Sequence, residues 1–125
     1  PARPKRTMLD FAAAIGYPVI VVCRSLLGTL NHTAMTVELL RRKGLIVSGI
    51  VMNGYDADLE GTDPSIKTNR QWLEKMTDTK VVAVLPKFKD ELVQPHKAVL
   101  EDALIDIMTT VTWKHLAGPS QPLAT

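Results

Sequence analysis

The sequence predicts an α/β fold built on a parallel sheet with helices on both faces. Largely apolar runs rich in β-branched residues lie at residues 18–23, 45–52 and 80–85, without the polar alternation of a half-exposed strand. Such runs are typical of strands that are covered on both faces. Helical patterns separate them, and alternating strands and helices form right-handed parallel units. Because a helix comes first, we expect the later units of a doubly wound domain, whose first portion is either absent or supplied by another chain.

Length and composition exclude several classes of protein. The chain has 125 residues, of which 46% are hydrophobic and 22% charged, so it suits one ordered domain rather than a disordered segment. Fifteen basic and thirteen acidic residues leave a net charge of +2, which does not indicate nucleic acid or an anionic membrane as a partner. No apolar run approaches the roughly 20 residues of a membrane helix.

The single cysteine and the two ends of the chain bear on the cellular compartment and on the extent of the domain. Cys23 has no partner for an intrachain disulfide, and we expect it to be a buried, unreactive thiol. The basic start of the chain precedes no apolar segment, so it is not a secretory signal. We therefore expect a cytoplasmic protein with its domain at residues 1–117 and a flexible tail at residues 118–125.

Helical periodicity and helix-ending residues predict four helices. They lie at residues 7–15, 32–42, 66–76 and 97–116. Gly16 suits the end of the first helix, whereas Asn31 and Ser65 are candidate N-caps of the second and third.

The apolar residues of these helices indicate which faces are buried. We expect Met35, Leu39 and Leu40 to face the core from the second helix. From the third helix we expect Trp72, Leu73 and Met76 to pack. The basic residues 41–43 suit the negative end of the second helix, and we expect them to be solvated.

Ligands of open α/β sheets gather where the parallel strands end, because loops and helix N-termini point there. Residues 24–33 follow the first strand. There Gly28 permits close backbone approach, and free N–H groups at the start of the next helix can hold a carboxylate or a phosphate. The alternative is an ordinary strand-to-helix turn that Asn31 caps. Spacing alone leaves both interpretations open.

Two further segments end at the same predicted edge. Asn53 follows the second strand, and its amide has the donor and acceptor that match an adenine edge; an Asx-turn is the alternative. After the third strand, Pro86 sets the chain direction and Phe88 is able to lie against a flat ring, although a plain turn also explains this segment.

Metal and phosphate chemistry finds little support in the sequence. The three histidines lack the spacing of metal ligands, and no cysteine pair accompanies them. We expect the acidic residues after the second strand to be solvated rather than to form a magnesium cage. These are Asp56, Asp58, Glu60 and Asp63. The sequence also contains no Gly-x-x-x-x-Gly-Lys-Ser/Thr loop for phosphate binding.

The order of these segments resembles one known family, the dethiobiotin synthetases. The resemblance rests on the strand at residues 18–22, Leu-Gly-Thr-Leu-Asn-His-Thr at residues 27–33, the strand end at residues 49–53, and residues 84–86. It runs from about residue 7 to residue 88 and covers only the C-terminal half of the family's enzyme. It implies a P-loop NTPase-like fold and a homodimer. It also implies a ligase of biotin biosynthesis, which uses ATP, Mg²⁺ and CO₂ to close the ureido ring of dethiobiotin from 7,8-diaminononanoate.

The resemblance also implies roles for individual residues. Backbone N–H groups and one side chain would bind the substrate's carboxylate across the dimer interface; the residues concerned are Gly28, Thr29, Leu30 and Asn31. Another set would contact the nucleotide, with an asparagine at the adenine and a turn beside the base; these are Asn53, Pro86, Lys87 and Phe88.

The family's phosphate-binding loop, catalytic lysines and magnesium ligands correspond to an N-terminal half that this sequence does not contain. Without them no group neutralises charge on a transferring phosphoryl group, so we expect the chain to be inactive alone and to work with that half. The alternative is a non-catalytic domain that kept the fold and binds small molecules or other proteins. Convergence with an amidotransferase-like or partition-ATPase-like domain is disfavoured by the motif at residues 27–33.

Overall fold

Helices and strands alternate along the chain. The computed structural model describes residues 5–26, 28–59, 61–87 and 102–111. Its elements are α1 (Met8–Ile15), β1 (Val19–Arg24), α2 (Thr29–Arg42), β2 (Val47–Tyr55), α3 (Ser65–Thr77), β3 (Val81–Pro86) and α4 (Asp102–Thr110), with a 3-10 turn at Ala57–Leu59.

The three strands form one parallel sheet in the order β1-β2-β3. Asn53 of β2 lies opposite Arg24 of β1 on one side and Leu85 of β3 on the other. All three strands therefore end at the same edge. The predicted α/β class with a parallel sheet is confirmed.

The core lies around the central strand β2. Ile50 and Met52 are almost fully buried, and they share one apolar cluster with Val37 of α2, Leu73 of α3 and Val81 of β3. Full burial of such a side chain stabilises the fold by about 1.5–3 kcal/mol. The prediction that the strands are covered on both faces holds for β2, whose residues 50–52 are all buried, but it is wrong for β1, where Val22 is 63% exposed.

The first helix forms as predicted. Thr7 is its N-cap and makes a reciprocal capping box with Asp10, and Gly16 ends the helix in the left-handed conformation with φ 72°. Asp10 also reaches Lys43 after α2, with 3.0 Å between carboxylate oxygen and Nζ. This ion pair joins α1 to the end of α2.

The start of α2 differs from the prediction. The helix begins at Thr29 instead of His32, and Gly28 occupies the N-cap position with φ 89°. Asn31 is therefore not the cap, because it already lies inside the first turn. A left-handed residue is needed where the chain leaves the sheet, and glycine adopts that conformation without steric cost.

The buried face of α2 also differs from the prediction. Thr33, Val37 and Leu40 are buried, whereas Met35 and Leu39 are 62% and 50% exposed. The sequence pattern misled because two threonines, Thr29 and Thr33, take positions on the buried face where apolar residues are expected. Only Leu40 of the three predicted core residues lies in the core.

Strand β2 is longer than predicted. It continues to Tyr55, so Asn53 and Gly54 belong to the strand and not to a loop.

The start of α3 differs as well. The helix begins at Ser65, and the side chain that accepts its backbone hydrogen is that of Asp63, at 3.0 Å. Ser65 is therefore not the N-cap. Leu73 is buried as expected, but Trp72 and Met76 are each 49% exposed. The ring centroid of Trp72 lies 5.4 Å from the ammonium of Lys75.

The fourth helix, Asp102–Thr110, falls inside the predicted range of 97–116. The rest of that range lies outside the described residues, as do Phe88 and the tail at 118–125. The division into a domain at 1–117 and a flexible tail stays a prediction.

Arg41 is not the solvated helix end that its position suggests. Its guanidinium donates to the carbonyl oxygens of Thr77 and Asp78 and to the hydroxyl of Thr79. These groups end α3, where Asp78 adopts the left-handed conformation with φ 47°. Arg41 therefore caps the carboxyl end of a neighbouring helix, at which positive charge is favoured.

We expect Arg41→Met to lower the free energy of unfolding by about 1–2 kcal/mol, because the hydrogen bonds from its charged guanidinium to the end of α3 are lost. Urea unfolding followed by circular dichroism measures the change. The matched control is Arg42→Met, which removes only an exposed pair with Glu38 at 2.8 Å and should cost less than about 0.5 kcal/mol. Equal losses in the two variants would contradict the capping role.

The stability of the chain should depend on pH through Asp10. Hydrogen bonds from the backbone of Thr7 and then from Lys43 hold the pKa of its carboxyl well below the usual range. Because the folded pKa is the lower one, the stabilisation is complete above the unfolded value of about 4 and is lost as pH falls below it. The stability gap between the native chain and Asp10→Asn should therefore be widest at neutral pH and narrow below about pH 4. Urea midpoints between pH 3 and pH 7 test this; a gap independent of pH would contradict it.

Candidate functional site

Two cavities open at the edge where the strands end. The first, which we call the helix pocket, has a volume of about 470 Å³. It is lined by Val21, Val22, Cys23, Arg24, Leu26, Gly28, Thr29, His32, Thr33 and Thr36. The second, which we call the strand pocket, has a volume of about 290 Å³. It is lined by Arg24, Leu26, Asn53, Gly54, Asp56, Leu59 and Lys87. The pockets are adjacent, because Arg24 and Leu26 belong to both.

The helix pocket lies at the amino end of α2. The first backbone N–H groups of a helix have no partner inside the helix, so those of Leu30 and Asn31 are available to an anion. The N–H of Thr29 is partly engaged, since it donates to the carbonyl of Leu26 at 3.3 Å. Gly28 has nothing within 4 Å of the position that a Cβ would take, so the approach to these donors is open.

Only two of the four residues predicted to bind the carboxylate line this pocket. Gly28 and Thr29 line it, whereas Leu30 and Asn31 are not among its lining residues. The hydroxyl of Thr29 is buried and lies 3.4 Å from that of Thr33, so both its side chain and its N–H have partners within the chain. Asn31 is exposed, and Leu30 packs partly against the core.

The strand pocket brings together residues from β2 and the end of β3. Asn53 is exposed on β2 and lines the pocket, and among the described residues no group hydrogen-bonds to its side chain. It therefore does not form the Asx-turn that was the alternative. Both the donor and the acceptor of its amide are available.

Lys87 lines the strand pocket together with Asn53, whereas Pro86 is not among its lining residues. Pro86 pairs with Tyr55, and the N–H of Lys87 donates to the carbonyl of Tyr55 at 2.7 Å. The ammonium of Lys87 is 3.6 Å from a carboxylate oxygen of Asp56, which places one cation and one anion in the wall of the pocket. Phe88, the fourth predicted nucleotide contact, lies outside the described residues.

Sequence reasoning missed the wall that the two pockets share. Arg24 ends β1, is exposed, and makes no side-chain hydrogen bond or ion pair with any other described residue. Its position at the carboxyl end of a strand was the available signal. His32 also lines the helix pocket; the sequence favours a solvated or cap-adjacent residue, with a catalytic role as the alternative.

The described residues do not fit a metal ion. Residues 5–26, 28–59, 61–87 and 102–111 contain no group of three His, Cys, Asp or Glu side chains arranged to hold one. Asp56 accepts from the N–H of Asp58 at 3.1 Å, and Asp63 accepts from Ser65. In the same part of the chain, no helix has the length and apolar character needed to span a membrane.

Comparisons with known proteins identify the family of this chain. The AAA_26 family, described as an AAA domain, matches residues 1–95. Three relatives carry the name ATP-dependent dethiobiotin synthetase BioD. The relative from Anaeromyxobacter sp. (strain K) is 45% identical over 86 residues, which cover 69% of this chain and 37% of the relative. That from Haloferax mediterranei is 42% identical over 86 residues, covering 69% and 35%.

The third relative, from Bacillus cereus (strain B4264), is 34% identical over 102 residues, which cover 81% of this chain and 40% of the relative. The match to these three proteins thus spans between 35% and 40% of their length. The family match includes all three strands and both pockets. The chain belongs to the AAA domain family AAA_26, and it is similar to a part of the dethiobiotin synthetases.

Proposed function

We propose that this chain supplies the substrate-carboxylate and adenine contacts of an ATP-dependent dethiobiotin synthetase. The observation that carries the proposal is the pair of adjacent pockets at one sheet edge, one at the amino end of α2 and the other beside Asn53 and Lys87. The names of the relatives add the reaction. On this proposal the complete enzyme is a cyclo-ligase of biotin biosynthesis that closes the ureido ring of 7,8-diaminononanoate with CO₂.

The helix pocket takes the carboxylate end of the substrate. The N-terminus of a helix stabilises an anion by about 0.3–1 kcal/mol, and by up to about 2 kcal/mol where the site is partly buried. Millimolar affinity already requires about 4 kcal/mol, so the carboxylate alone does not account for binding. The apolar wall formed by Val21, Val22 and Leu26 supplies the remainder, since each buried CH₂ of the substrate's chain contributes about 0.8 kcal/mol.

The strand pocket takes the adenine of the nucleotide. The amide of Asn53 pairs with the donor and acceptor of the adenine edge, a geometry in which an amide distinguishes adenine from guanine. The turn at Pro86 and Lys87 borders the base, and Phe88, which lies outside the described residues, is the fourth residue that we assign to this contact. This chain thereby contributes to the choice of nucleotide, whereas the phosphates are bound elsewhere.

The rest of the reaction belongs to groups outside this chain. We propose that the phosphate-binding loop, the lysines and the Mg²⁺ ligands come from the N-terminal half of the enzyme, because the described residues offer no metal cluster. The chain alone then has no ATP turnover. The complete enzyme is a homodimer in the cytoplasm, and Gly28, Thr29, Leu30 and Asn31 act across the dimer interface.

Gly28→Ala should weaken the binding of 7,8-diaminononanoate by at least about threefold and leave ATP binding unchanged. A side chain at φ 89° costs about 1–2 kcal/mol, and the backbone relieves this strain by turning the first N–H groups of α2. Calorimetric titration of both ligands into the 125-residue chain measures the effect.

The matched control for Gly28→Ala is Gly44→Ala. Gly44 has φ 81° with equally open surroundings, but it follows α2 and lines neither pocket. It should lose similar stability without losing affinity. Unchanged diaminononanoate binding by Gly28→Ala would contradict the assignment of the helix pocket.

Asn53→Ala should weaken ATP binding about five- to tenfold and remove the preference for ATP over GTP, because one amide-to-base pair contributes about 1–3 kcal/mol of discrimination. Competition of ATP and GTP for a fluorescent adenine nucleotide measures both. Gln71→Ala removes an exposed amide that lines neither pocket and serves as the control. Retention of the full preference for ATP in Asn53→Ala would contradict the adenine assignment.

A further inference from the structure

Two polar side chains lie buried directly beneath the pockets. Ser25 is 0% exposed and Asn69 is 2% exposed. The hydroxyl of Ser25 donates to the carbonyl of Gly54 at 2.8 Å, and the side-chain amide of Asn69 donates to the carbonyl of Ser25 at 3.1 Å. No buried side-chain polar atom among the described residues lacks a partner.

The two bonds connect three separate elements. Ser25 lies between Arg24 and Leu26, the two residues that line both pockets. Its hydroxyl holds Gly54, which follows Asn53 in β2 and has φ 78°. Asn69 lies in α3, an element that lines neither pocket. The shared wall and the end of β2 are therefore held to each other and to a common helix.

Neither bond belongs to the regular hydrogen bonding of a helix or a sheet. Ser25 follows the last residue of β1, so its carbonyl and hydroxyl are free to bond outside the strand ladder. The bond from Asn69 is buried and the bond from Ser25 is partly buried. The low local dielectric strengthens such bonds, and the loss of one partner leaves a polar group with little access to water. Such bonds restrict the backbone positions of Arg24, Leu26 and Gly54.

We propose that Ser25 and Asn69 are positioning residues that hold the helix pocket and the strand pocket in fixed relation to each other. Neither side chain touches a ligand. They act through the backbone of the shared wall and of Gly54, and so set the affinity of both pockets at once. The identity of the two ligands rests on the proposed function, whereas the fixed relation of the pockets does not.

The test compares Ser25→Ala and Asn69→Ala with Thr77→Val in the full 125-residue chain. Thr77 is a buried residue of α3 whose hydroxyl bonds to the carbonyl of Leu73 at 2.6 Å, so its loss weakens the same helix without touching the pockets. Amide hydrogen exchange followed by NMR reports the order of the backbone. Calorimetric titration with ATP and with 7,8-diaminononanoate reports affinity at each pocket.

We expect Ser25→Ala to accelerate amide exchange at Leu26, Gly28 and Gly54 beyond what its loss of global stability explains. The affinity for each ligand should fall by about three- to tenfold, the equivalent of one net hydrogen bond. Thr77→Val should change global stability alone. If Asn69→Ala fails to fold, the test rests on Ser25→Ala, because the backbone carbonyl at position 25 still accepts the hydrogen bond from Asn69.

The outcomes separate this inference from the proposed function. If the native chain binds both ligands and Ser25→Ala binds them equally well, the inference is overturned and the proposed function stands. If the native chain binds neither ligand, the proposed function fails. Faster exchange in Ser25→Ala that is confined to the shared wall and Gly54 then still supports the positioning role. Unchanged exchange at these positions overturns it. Equal local effects in Thr77→Val also overturn it.

Discussion

Parallel pairing of β1, β2 and β3 is the constraint on which the rest of this structure depends. Parallel strands cannot be joined by tight turns, so helices must carry the chain back across the sheet. Each strand then ends at the same edge, and each following segment begins there. Arg24, Asn53 and Leu85 come from distant parts of the sequence, yet this rule alone brings them to adjacent positions on neighbouring strands. Both pockets form where these segments leave the sheet.

Polar contacts between elements then set the details that the sheet leaves open. Arg41 of α2 caps the end of α3, Asn69 of α3 holds the carbonyl of Ser25, and Ser25 holds Gly54. These contacts join residues between 29 and 44 positions apart in the sequence. These contacts are fewer than the apolar contacts of the core, but each hydrogen bond depends on a defined distance and angle between donor and acceptor. They therefore fix the orientation of the groups they join, which a ligand site requires.

Sequence reasoning succeeded where a local pattern has one physical meaning. Unbroken apolar runs placed the strands, and Gly16 placed the end of α1, which begins one residue later than predicted because Thr7 is its N-cap. Sequence reasoning failed where more than one neighbouring residue is able to start a helix. Asn31 and Ser65 are good N-caps by type, but a left-handed Gly28 and the carboxylate of Asp63 start those helices. The buried face of α2 was predicted wrongly because it carries two threonines, which can be buried when their hydroxyls pair with each other.

The sequence by itself determined the α/β class, the family and the segments from which the site is built, because strand periodicity, glycine positions and the motif at residues 27–33 are local properties. The tertiary structure alone decided that Arg24 and Leu26 form a wall common to two pockets, that Asn53 keeps its amide free in β2, and that Ser25 and Asn69 lie buried beneath them. The reason is physical: burial and hydrogen-bond partners depend on which elements pack together, and no window of neighbouring residues contains that information.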